Sequence, residues 1–114
     1  MGVVVVDAAA QAIAFAREDG ASALRLDIAH GKAGAAIGMG TNSRALAVRA
    51  KDMPAFFSTI ASNAQHPFIP QTGAVLITHA NGDIIGAVGA SGGTGDEDEE
   101  IVIAGVLAAG LHHL

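Results

Sequence analysis

Short alternating or β-branched apolar runs flank a central stretch of small residues. Gly2–Val6 holds four valines, and β-branched side chains in such a run suit a strand buried on both faces. Asp7–Ala10 reads as a turn. Gln11–Arg17, "QAIAFAR", sets Ala12, Ala14 and Ala16 against Ile13 and Phe15, the two-residue period of a second strand hairpinned to the first. Asp19-Gly20 ends it. Ser22 is the expected cap of a helix from about Ala23 to Met39. In that helix Leu24, Ile28 and Ala35 fall near one face, while Ala29, Ala33 and Ile37 form a small-residue row suited to close packing.

Thr41 or Asn42 is the expected cap of a short second helix to about Val48, and a third follows Pro54 over Ala55–Ala64. Pro67 and Pro70 hold an extended connection. Ala74–His79 reads as a strand, Asn81-Gly82 as a hairpin turn, and Ile84–Ala90 as the partner strand. Asp96 or a neighbour is the expected cap of a last helix to about Leu111. It is apolar nearly all round, which predicts burial in the fold or at an interface. The order β-β-α-α-α-β-β-α predicts an α+β domain spanning residues 1–114, one antiparallel sheet with helices packed on it.

Composition sharpens this picture. With 51% hydrophobic residues but only 4% aromatics, the core has to be built from Val, Ile, Leu and Ala. Such a core is thin for 114 residues and points to homo-oligomerisation. The net charge of −5 and the absence of a basic patch argue against nucleic acid as a partner. No apolar run approaches the roughly 20 residues of a bilayer span, and no leader pattern opens the chain, so neither a membrane nor export is expected and the expected location is cytoplasmic. There is no cysteine, hence no disulfide and no thiolate chemistry.

Gly89-Ala90-Ser91-Gly92-Gly93 matches G-x-S-x-G, the elbow of a nucleophilic serine. The surroundings do not match. The α/β-hydrolase elbow needs a long parallel α/β chain, and Asp96 or Asp98 and His112 or His113 would sit about 20 Å apart along one helix. A phosphate cradle before the last helix is opposed by the five acids Asp96–Glu100. His30, His66, His79, His112 and His113 show no metal-ligand spacing. His79 beside the Asn81 turn and His66 before Pro67 stand out as iron or metal ligands, with a site shared between subunits in view. Lys32, in an Ala/Gly-rich helix of a chain with six basic residues, is either a snorkelling surface lysine or a cation held near Asp7, Arg17 or Asp19.

Taken in register, Val5-Val6-Asp7, Arg17–Ala21 ("REDGA"), Ala29–Ala36 ("AHGKAGAA"), Thr41 and Ile85–Gly93 ("IGAVGASGG") resemble the GlcG/HbpS-like family, also described as DUF336 or the haem-degrading-domain family, which includes the C-terminal domain of PduO-type proteins. The resemblance implies a profilin-like antiparallel sheet with helices, assembly into homo-oligomers, and binding of a small molecule or cofactor, haem above all. It also implies that the glycine run is a close strand-to-helix turn, with Ser91 bonding backbone or lining a pocket. Family members carry a helix ahead of the first strand that is missing here. Either the start is truncated, or another element or subunit covers the sheet face. The family's "GG-x-P" turn is replaced by Gly73-Ala74-Val75-Leu76.

Three readings follow. In the first, a homo-oligomer binds haem, a related tetrapyrrole or another metabolite at the sheet edge or between subunits. Arg17 and Lys32 pair with ligand carboxylates, with Asp19 beside them, His79 or His66 is the axial ligand, Thr41 and Ser91 are polar liners, and haem degradation is a weak side activity. In the second, the protein acts on a small hydroxy or keto acid without haem, held by Lys32 and Arg17 with Asp7 or Asp19 as base. In the third, it is a structural oligomerisation module.

Overall fold

The computed structural model describes residues 1–114. Strands β1 (Gly2–Asp7) and β2 (Ala12–Arg17) form a hairpin. Helices α1 (Leu24–Met39), α2 (Ser43–Asp52) and α3 (Pro54–Asn63) follow, then strands β3 (Ala74–Thr78) and β4 (Ile84–Ser91), helix α4 (Gly95–Ala108) and a two-residue strand, β5 (His112–His113). The five strands form one sheet in the order β2-β1-β4-β3-β5, antiparallel throughout. This is the expected α+β architecture with one strand added.

Alternation along the strands decides which helix each side chain meets. Val4 and Val6 of β1, Ala74 and Leu76 of β3 and Ala87 of β4 point to one face and pack on Ala29, Ala33 and Ala36 of α1. Val75, Ile77, Val88 and Ala90 point to the other face and pack on Val102 and Val106 of α4. A third cluster, Ala35, Leu46, Phe57 and Phe68, joins α1 to α2, α3 and the extended connection. The small-residue row brings α1 so close to the sheet that a Cβ at Gly89 would collide with the Ala29 carbonyl and the Ala33 amide. No helix is long and apolar enough to cross a membrane.

Element ends depart from expectation where local chemistry differs. Ser22 does not cap α1; the cap position is Ala23, whose side chain has nothing to offer. Helix α2 runs four residues past Val48 to Asp52, stopping only where Pro54 starts α3. At α4 the cap is Thr94, not Asp96. The Thr94 hydroxyl accepts from the Glu97 amide while the Glu97 carboxylate accepts from the Thr94 amide. The helix ends at Ala108, before Gly110 turns with φ 76°. That turn takes His112 and His113 out of the helix to pair with β3 at the sheet edge. Burial all round α4 is not realised in the single chain: Ile101 and Leu107 are exposed.

Candidate functional site

Lys32 sits in the middle of α1 with only 8% of its side chain exposed, and Asp98 in the first turn of α4 with 1%. A buried ammonium and a buried carboxylate each require compensation. Lys32 Nζ donates to Asp98 Oδ2 at 2.9 Å and to the Ala90 carbonyl at 3.0 Å, and Asp98 Oδ1 accepts the Gly93 amide at 2.9 Å. The pair thus ties both helices to the end of β4. Gly73, with φ 135°, lies against the ammonium, and a Cβ there would come within 2.7 Å of Lys32 Nζ. In this structure the partner of Lys32 is Asp98, not Asp7, Arg17 or Asp19. Beside the pair opens a cavity of about 420 Å³ with no hydrophobic side chain in its wall, lined by Lys32, Gln71, Thr72, Thr94, Gly95 and Asp96.

Ser91 is buried at the end of β4, opposite Gly2 of β1. Its hydroxyl accepts from Arg25 Nη1 at 3.4 Å. No histidine or carboxylate bonds it, and Asp98 is already engaged by Lys32, so the triad geometry is missing. Arg17 pairs with Gly2 from the other side, two strands from Ser91, and is exposed, as is Asp19 in the following turn. Asp7 serves the hairpin, its Oδ1 accepting the amides of Ala9 and Gln11.

The remaining candidates lie apart. Thr41 lines a cleft of about 350 Å³ between α2, α4 and β5, together with Arg44, Val48, Ile103 and His113. Arg44 bridges Asp96 and Glu99 there. Its hydrogen bonds to the carboxylates of Glu99, then Asp96, raise its pKa further above the usual guanidinium range. His66 packs on α1 with Nε2 donating to the Gly34 carbonyl at 3.2 Å, and His79 is exposed at the β3–β4 turn. Neither lines a cavity of the single chain.

The most apolar hollow, about 370 Å³, runs between α4 and the sheet, walled by Val3, Val5, Ile77, Val88, Ile101 and Val106. Its wall is almost entirely aliphatic, and it offers no side chain that could ligate iron. Sequence reasoning missed Asp98 as the partner of Lys32 and missed β5. The buried acid was hidden among five consecutive acids, and its spacing from Lys32 carries no local signal.

Comparisons with known proteins agree with this fold. The crystal structure of a PduOC–haem complex superposes with a TM-score of 0.83 at 24% identity, over 97% of this chain and 79% of that one. A crystal structure of HbpS gives 0.80 at 27% identity, over 94% and 72%. The Klebsiella pneumoniae protein ORFY, a DUF336 protein, gives 0.73 at 27% identity, over 88% and 68%. No curated protein sequence matches the chain. The family model described as haem degrading protein HbpS-like matches residues 1–107, so the chain belongs to the HbpS-like family.

Proposed function

We propose that this protein binds haem or a related tetrapyrrole, and that it does so as a homo-oligomer. Membership of a family described as haem-degrading supports the haem-related reading. The structural observation that supports it further is the aliphatic hollow beside α4, an apolar wall that supplies no iron ligand. A second copy would complete such a site. His79, exposed on a hairpin tip, is our choice of axial ligand from another subunit, and His66, held on α1, is the alternative. When bound, haem supplies redox chemistry at its iron; the chain's own residues hold and shield it.

A haemin titration followed by absorbance tests this. The expected result is a saturable, shifted Soret band that is lost in His79→Ala or His66→Ala. A band that never saturates and is unchanged in both variants contradicts specific binding.

The polar cavity beside Lys32 favours the small-acid reading as a second possibility, because Lys32 and the start of α4 present donors to it. Asp98 already neutralises Lys32 and Asp96 lines the same cavity, which weakens it for an anion. Thermal shift with small carboxylic acids, with Lys32→Ala as control, separates the two.

A further inference from the structure

We propose that the free edge of β2 is a homotypic interface: two copies pair their β2 strands antiparallel about a twofold axis, joining two five-stranded sheets into one. This rests on the homo-oligomer reading above but not on haem.

Strand β2 is the terminal strand of the sheet, paired on one side only with β1. Every one of its six residues is exposed, five of them apolar, with Ile13 65% and Phe15 69% exposed. An edge of this kind is a template for another strand, and proteins that stay monomeric blunt it with Lys, Pro, charge, brevity or a bulge. The opposite edge of the same sheet is blunted in that way: β5 is two residues long and carries His112 and His113. Between Ala12 and Ala16 of β2 there is no charge and no proline. Its one irregularity is a bulge at Ile13, opposite Val5 and Val6, which blunts the start of the strand and leaves Ala14–Arg17 in regular register.

The strand is also complementary to itself. An antiparallel pair centred on Ala14 sets Ala14 against its own copy, Ala12 against Ala16, and Ile13 against Phe15 of the other copy, a favourable β-branched and aromatic pairing. Beside Phe15 lies a hollow of about 220 Å³ walled by Val4, Ala12, Leu26, Asp27 and His30, where an apolar side chain of the second copy would be received. Charge favours the same occupant. Arg17 has no ion-pair partner in the single chain and ends the strand. Antiparallel pairing carries it to the start of the other β2, where the partner's Asp7 uses only Oδ1 for its turn and leaves Oδ2 free.

The natural chain has no cysteine, so a single introduced one reports the contact without background. In the haem-free protein, Ala14→Cys is expected to form a disulfide-linked dimer on mild oxidation, because facing strands hold Cα atoms about 5 Å apart. Ala61→Cys, exposed on α3, is expected not to. Light scattering is expected to show Phe15→Lys with half the assembly mass of the parent and an unchanged far-UV circular dichroism spectrum. If that variant loses its fold, the cross-link alone decides. An Ala14→Cys protein that cross-links no better than Ala61→Cys, or a folded Phe15→Lys with the parent's mass, overturns the proposal. Failure of the haemin titration leaves this result untouched.

Discussion

The centre of the sheet and its β2 edge carry similar apolar residues and meet opposite fates. In β3 and β4, Val75, Leu76, Ile77 and Val88 are sandwiched between α1 and α4 and leave water almost completely. In β2, Ile13 and Phe15 stand in solvent on a strand that neither helix covers well. Apolar pattern therefore announces a strand, whereas burial depends on which element arrives to cover it. At the centre the cover comes from the same chain, drawn close by alanine and glycine. At the edge neither helix supplies it, and a second copy is the proposed cover.

This contrast makes the centre brittle and the edge tolerant, with effects that fall in size from one to the other. Lys32→Met should be the most damaging change, costing about 3–5 kcal/mol in chemical denaturation, because it leaves Asp98 charged, buried and unpaired. A loss below about 1 kcal/mol would mean that the pair is wetter than its burial indicates. Gly89→Ala comes next, at about 1–3 kcal/mol or more, since its Cβ forces α1 off the sheet; wild-type stability would show that the helix sits less close. Thr94→Ala should cost about 1 kcal/mol by removing the α4 cap.

The same cap predicts a pH effect. Hydrogen bonds from Thr94, the backbone amide first and then the hydroxyl, hold the Glu97 carboxyl below the ordinary range. Folding favours its charged form, so this contribution is present above the ordinary carboxylate pKa and is lost as pH falls through the depressed one. Denaturation curves of the parent between neutral and acid pH should lose more stability than those of Thr94→Ala. Phe15→Lys should change the unfolding free energy of the single chain by no more than about 0.5 kcal/mol, since the residue is exposed there, while halving the assembly.

Much of the fold was legible from local pattern. Valine runs, the Asn81-Gly82 turn and the small-residue helix each announce their elements through backbone preference, and the resemblance carried by "REDGA" and "IGAVGASGG" named the family. The site was less legible, because its partners are distant in sequence. Lys32 was singled out for being an ammonium among alanines, but its counter-ion lies 66 residues away in an acid run where every residue looks alike. Strand β5 was missed because two histidines after a helix carry no alternation; Gly110 ends the helix and β3 recruits them. Thr94 was overlooked as a cap because the acids beside it are equally good cap residues on paper.

Residue-resolved hydrogen exchange on the haem-free parent and Phe15→Lys tests the central contrast most directly. The account predicts that the outward-facing amides of β2 exchange slowly in the parent and fast in Phe15→Lys, while those of β3 and β4 are protected equally in both. Outward β2 amides that exchange as fast in the parent as in the variant would mean that the edge is bare in solution, contradicting the claim that a second copy covers what the chain leaves open.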